Sequence, residues 1–206
     1  MNDPNKLKIY RKRFGELSWF MSRLNEPLAK NSNFEDCVKG RFWESRYTSI
    51  ALLDESAVLS CMAYVDLNPI RAGMVEELQY SLYTSINKRI DNLKTISTTT
   101  LNQSIEPMAS GVNGRVLNIK LTDYIELVEW TGKSIIHPNK ASMPAHITSI
   151  INQLNLQPDN WLSQVTQLGQ NNSMAIGSVA KLKEKAEALK RSWIKGMASA
   201  KLLYAS

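Results

Sequence analysis

The chain has 206 residues, enough for one good-sized domain or two small ones, and its 43% hydrophobic and 21% charged content reads as globular rather than disordered. A formal net charge of +6 and a sequence pI near 9.3 favour an acidic partner, nucleic acid before others. Cys37 and Cys61 form no C-x-x-C pair and exclude a disulfide framework. With no signal-peptide h-region and no apolar run of roughly 18 residues, the expected setting is cytoplasmic with no membrane partner.

Tyr10, Phe14, Leu17, Met21 and Leu24 recur at spacings of four, three, four and three, a helical stripe that Pro27 is expected to end. Lys6, Lys8, Arg11, Lys12, Arg13 and Arg23 lie between them and outnumber Asp3 and Glu16, so this face is either solvated or in contact with phosphate. Residues 31–40 read as an irregular connection. From Phe42 to Leu53 aromatic and β-branched residues mix with polar ones, predicting a short strand over Arg46–Leu52. Arg41 and Arg46 beside Trp43 and Tyr47 suit phosphate contacts and base stacking, although packing into a core is the commoner role for an aromatic.

Asp54 suits a helix N-cap and Glu55 its positive first turn. With Val58 at zero on a helical wheel, Cys61, Met62 and Val65 fall within about 60°, the expected buried stripe. Ser60, Tyr64 and Asn68 lie four apart on another face. Asn68–Pro69 is expected to end this helix, spanning 54–68, because the residue before proline is pushed out of the α region. A turn carrying Arg71 follows, then a helix over Ser81–Leu93 with Leu82, Ile86, Ile90 and Leu93 as its stripe. Residues 94–115, rich in Ser, Thr, Asn, Gly and Pro, read as a linker between a first domain (1–93) and a helical extension (116–206). Helices are expected there at 121–132, 145–154, 159–168 and, longest, 177–205, which carries seven Lys/Arg against two Glu.

The chain contains no G-x-x-x-x-G-K-[ST] loop, no G-x-G-x-x-G and no G-x-S-x-G elbow. His137 and His146, nine apart, do not make a compact metal-ligand spacing. What remains is a tyrosine with an amide four residues later. On a helix the two sit one turn apart, so a hard divalent cation on the Asn68 amide oxygen would lie near the Tyr64 hydroxyl.

The run GRFWESRYTSIALLDESAVLSCMAYVDLNPIRAGMV, within a similarity reaching from Leu17 to about Ile90, resembles the HUH-type single-tyrosine transposases, REP-associated transposases among them. The resemblance rests on the GRFWE-R-Y segment, the LLDE helix start and the Tyr-x-x-x-Asn-Pro-x-x-Ala block. It implies that Tyr64 attacks a DNA phosphate and forms a 5′-phosphotyrosine, with single-stranded or hairpin DNA as substrate. It also implies a divalent cation, Mg or Mn, held by a His-x-His pair and helped by Asn68. Arg11, Lys12, Arg13, Arg41, Trp43, Arg46 and Arg71 are the expected DNA contacts.

No His-x-His pair occurs in the sequence, and only some 16 residues precede the similarity. The expectation is therefore the C-terminal part of a longer transposase that neither holds the metal nor cleaves DNA alone. Its fold is expected to be mainly α with a short residual β element, the remnant of an α+β catalytic domain followed by the helical extension. A DNA-binding module without chemistry and a decayed transposase remnant are the alternatives.

Overall fold

Asp3 accepts a hydrogen bond from the Asn5 backbone N–H at 2.9 Å, and Pro4 occupies the first turn where its missing N–H is harmless, so α1 (Pro4–Phe14) begins on two local signals. It ends at Gly15, whose N–H bonds the Lys12 carbonyl at 3.1 Å. The apolar stripe therefore belongs to two helices rather than one, because α2 (Leu17–Glu35) starts anew beyond Gly15. Pro27 does not end α2 but lies within it. Its ring removes one backbone bond, while Glu26 and Lys30 pair at 2.6 Å across the same turn. The expected irregular stretch thus begins only after Asp36, with Cys37 in the left-handed region at φ 54°.

The computed structural model describes residues 3–95, 119–138, 142–153, 156–168 and 173–204, which fall into two compact units, Met1–Ser49 and Ile50–Ser206. In the first, none of the described residues is buried. The second is built around Trp161, Tyr124, Leu59, Leu67, Ile86, Leu127, Ile147 and Leu182, all fully enclosed. Its elements are β1 (Ala51–Leu52), α3 (Glu55–Asp66), α4 (Asn68–Arg71), a 3₁₀ turn at Leu78–Tyr80, α5 (Ser85–Thr95), α6 (Leu121–Ile136), α7 (Ala145–Gln153), α8 (Pro158–Gln167), β2 (Ala175–Ile176), α9 (Val179–Ala188) and α10 (Met197–Leu203). The protein is mainly helical, as expected. Among the described residues no helix is long and apolar enough to cross a membrane.

The linker read at 94–115 lies almost wholly outside the described residues. Helices on either side of it contribute to one core, and the chain passes from the first unit to the second between Ser49 and Ile50. The strand expected over Arg46–Leu52 is confined to Ala51–Leu52, which pairs in parallel with Ala175–Ile176. A strand needs a hydrogen-bonded neighbour, and β2 is only two residues long. The helix expected from Ser81 starts four residues later. Tyr83 takes φ 63°, the Thr84 hydroxyl donates to the Ser81 carbonyl at 2.6 Å, and Leu82 is left exposed. The single long helix expected at 177–205 is broken in two. Lys190 turns left-handed at φ 53°, and Gly196, at φ 118°, brings the chain so close to β2 that a Cβ there would meet the Ala175 carbonyl oxygen at 2.8 Å.

Candidate functional site

The helix carrying Tyr64 is fixed at its start by one carboxylate. Asp54 accepts from the Ala57 N–H at 2.9 Å and the Ser56 hydroxyl at 2.8 Å, and its second oxygen accepts from the Ser178 N–H at 2.5 Å, where the chain enters α9. The same aspartate thus closes the ends of two helices far apart in sequence.

Of the predicted buried stripe of α3, Met62 alone is enclosed. Ala57, Leu59, Met62 and Ala63 are enclosed together with Ser56, Ser60 and Asp66, whereas Val58 and Cys61 are only half-buried and Val65 is exposed. Small residues let the neighbouring helices approach, and Ser60 enters the core because its hydroxyl donates to the Ser56 carbonyl of its own helix at 2.6 Å. Burial holds the Cys61 thiol above its usual pKa, which favours the thiol over the more reactive thiolate. The face of Ser60, Tyr64 and Asn68 passes from core to solvent: the first is buried, the second half-buried, the third exposed.

Asn68–Pro69 does not stop the helix. Leu67 keeps near-helical angles and bonds Ala63 at 2.9 Å, and α4 continues with Pro69 at its second position, where no donor is missed. The stop is Gly73 at φ 67°. Its N–H bonds the Ile70 carbonyl at 3.0 Å and the Met74 N–H bonds the Pro69 carbonyl at 2.9 Å, a Schellman closure that requires a left-handed residue at Gly73. This added turn carries Arg71 back over Tyr64, with the guanidinium carbon 4.3 Å from the ring centroid. Among the described residues the Tyr64 hydroxyl has no hydrogen-bond partner.

Two features hold this corner in place. Asp66, buried two residues past Tyr64, accepts from the Tyr124 hydroxyl at 2.5 Å, from Arg89 Nη1 at 3.0 Å and from the Ser85 hydroxyl at 2.7 Å, tying α3 to α5 and α6. Burial, with the Asp66 carboxylate beside it, raises the Tyr124 phenol far above its ordinary pKa, so it remains a donor. Gly132, expected to end its helix, lies inside α6. A Cβ there would stand 3.1 Å from Leu67 and 3.2 Å from Ile70, so its absence lets α6 close on the α3–α4 junction.

Of the expected site residues, Tyr64 and Arg71 are thus in contact and Asn68 lies exposed between them in sequence. Arg11, Lys12, Arg13, Arg41, Trp43 and Arg46 belong to the first unit and are all exposed. There Trp43 donates its indole N–H to the Asn25 carbonyl at 3.1 Å and meets Phe42 edge-on at 4.8 Å between ring centroids. Asn33 binds the Gly40 carbonyl at 3.0 Å, so the segment after α2 is laced back along it. Arg13 and Arg23 both stack on Trp19, with guanidinium carbons 4.7 and 5.6 Å from its ring centre. Trp19, Arg89 and Asp66 were missed in the sequence; only an aspartate inside the apolar run AYVDLNP hinted at a buried partner.

The divalent cation implied by the resemblance finds no fitting donor set in the described residues. Such a cation takes six or more oxygen ligands, and Asn68 offers one exposed amide while Asp66 is occupied by three donors. His146 pairs with Glu126 at 2.5 Å, and His137 lies eleven residues beyond Glu126 at the end of α6, about 16 Å along the axis. No protein-family model, curated protein or solved structure matches the chain.

Proposed function

We propose that this chain is a DNA-binding protein of the single-tyrosine transposase type, with Tyr64 in the nucleophile position and single-stranded or hairpin DNA as its partner in the cytoplasm. The observation that carries this reading is the contact between Tyr64 and Arg71 at the solvent-facing end of a helix anchored by Asp54 and Asp66. A phenol attacking a phosphodiester needs a cation beside it to offset the charge that gathers on the phosphoryl oxygens. Arg71 is already there, positioned by the ring itself. In the reaction the Tyr64 oxygen bonds to phosphorus, the bond to the 3′ oxygen breaks, and the phenolic proton ends on that leaving oxygen. The charge distribution supports the same partner: residues 1–49 hold ten Lys/Arg and six Asp/Glu, +4 of the chain's +6.

The sequence holds no His-x-His pair, and binding rather than cleavage is the activity expected of the chain by itself. Fluorescence anisotropy with a labelled hairpin oligonucleotide should show affinity falling steeply between 50 and 200 mM salt, as phosphate contacts require. Binding that is absent at low salt, or indifferent to salt, overturns the proposal. Arg71→Ala should weaken binding about tenfold, while Tyr64→Phe should leave it unchanged because the ring still carries the guanidinium. Denaturing electrophoresis after incubation with Mg or Mn should show no covalent adduct. An adduct formed equally by Tyr64→Phe removes Tyr64 from its role.

A further inference from the structure

The first unit contains an arrangement that general basicity does not require. Arg13 closes α1, Trp19 opens α2, and Arg23 follows Trp19 by one helical turn. On an unbroken helix Arg13 and Trp19, six residues apart, would lie about 9 Å apart along the axis and about 120° apart around it, out of stacking range. The break at Gly15 folds Arg13 onto the indole, and Arg23 reaches the same ring from within α2.

Two like charges are thereby confined to one aromatic ring. Their guanidinium carbons can be no farther apart than the sum of their two distances to its centre. Among the described residues neither forms an ion pair with a carboxylate; Glu26, three residues beyond Arg23, is bonded by Lys30 at 2.6 Å and feels the Arg23 charge more weakly. Two exposed cations on one ring repel only weakly through water, but guanidiniums over a ring keep N–H edges free, and one anion can be held by both. The same helix fixes a second group. Asn25, two residues past Arg23, holds the Trp43 indole by its N–H, leaving that ring 41% exposed with its orientation set by Phe42.

We propose that Arg13 and Arg23, mounted on Trp19, form a phosphodiester clamp for single-stranded DNA, and that Trp43, hydrogen-bonded to the helix of Trp19 and Arg23, is the base-stacking platform. This rests on the DNA-binding reading above and assigns the contacts within it. The two parts predict different signatures. A phosphate contact acts through counterion release, and each one contributes about 0.7 to the salt slope on a single strand. A stacking contact changes affinity with little effect on that slope.

The test measures affinity of the full chain for a 20-nucleotide deoxythymidine strand across a salt series. Arg13→Gln with Arg23→Gln should lower the slope of log affinity against log salt by about 1.4, and each single variant by about 0.7. Trp43→Ala should lose on the order of tenfold in affinity at unchanged slope, with Trp43→Phe restoring most of it. Lys183→Gln with Lys201→Gln, a charge-matched control on α9 and α10, should leave the slope as in the wild type. Circular dichroism checks that the variants keep their helices, and the single variants stand in if the double one does not. A wild-type slope in the arginine variants, or an equal drop in the lysine control, overturns the clamp and leaves the DNA-binding reading intact. A wild-type chain that binds no DNA overturns both. Stronger wild-type binding to phosphatidylserine vesicles, lost in the same arginine variants, would assign the clamp to a lipid surface and overturn it as a DNA site.

Discussion

Residues 3–49 and residues 50–204 follow opposite physical rules. The first unit is held by local devices: an Asp3 cap, a Gly15 break, an i,i+4 ion pair and two side-chain bonds to backbone carbonyls, with no buried side chain among those described. The second has a continuous apolar core crossed by buried polar links that join segments more than fifty residues apart, as Tyr124 joins Asp66 and Tyr204 joins Ser56. Burial of apolar area is the main favourable term in folding, so stability is concentrated in the second unit. Exposed charge and aromatic faces are concentrated in the first, where a substitution can alter binding with little effect on the core. Tyr64 and Arg71 lie at the edge of the second unit, on a helix end tied to the core through Asp66.

The strongest way to break this contrast is Asp66→Ala. It leaves the Tyr124 hydroxyl buried without an acceptor and Arg89 without its carboxylate, and should cost about 3–5 kcal/mol in a guanidinium unfolding titration. Arg13→Gln, in the first unit, should leave the midpoint unchanged. If the two variants unfold alike, stability is not concentrated around Asp66. Next in size is Asp54→Ala, which removes a cap from α3 and the acceptor at the entry to α9 together, at about 2 kcal/mol by the same titration. A loss of only a few tenths would mean that the link between those helices contributes nothing.

The contrast also marks what could be read from the sequence. Signals that act within a few residues were legible: the Asp54 cap, the bounds of α7 and α8 to within a residue or two, and the placement of Tyr64 on a helix. Signals that depend on distant neighbours were not. The pairing of Ala51–Leu52 with Ala175–Ile176 joins residues over 120 positions apart, and nothing local in either segment specifies it. The buried face of α3 is set by helices that pack against it, which favoured Ala57, Ser60 and Ala63 over the more apolar Val58 and Val65. Two competing local rules produced the other misses. Pro69 signals a stop by what it forbids the preceding residue, yet Gly73 ends the helix and thereby places Arg71 on Tyr64.

A smaller effect sharpens the comparison through pH. Burial, reinforced by the Asp54 charge and opposed by hydrogen bonds from Ser56 and Gln164, leaves the Tyr204 phenol pushed up to about 12 from an ordinary value near 10. Between those values the unfolded chain loses this proton while the folded chain keeps it. The unfolded state then binds fewer protons, and stability falls as pH rises. Tyr124 shifts in the same direction, chiefly by burial and then by Asp66. The contribution is complete below pH 10, so the melting temperature of the second unit should decline from about pH 10 toward 12. Tyr204→Phe should cost about 1 kcal/mol at neutral pH and decline less steeply above pH 10. Identical alkaline slopes would show that Tyr204 is not among the groups responsible.

The smallest expected effect tests the first unit directly. Asp3 caps α1 through the Asn5 N–H, and α1 has no buried residue to hold it if that cap is lost. Asp3→Ala should weaken the helix by about 1 kcal/mol. In a helix of eleven residues, near the length at which isolated helices become marginal, that is enough to fray its first turn. Circular dichroism should therefore record a small loss of helicity, and amide exchange should quicken in residues 5–8, while the unfolding midpoint of residues 50–204 stays where it was. Arg13, at the far end of α1, should keep its place on Trp19, so the salt slope for single-stranded DNA should also hold. A midpoint that moved with Asp3 would mean that the first helix contributes to the stability of residues 50–204 after all, and the contrast between an exposed unit held by local devices and a unit held by its core would fail at its weakest link.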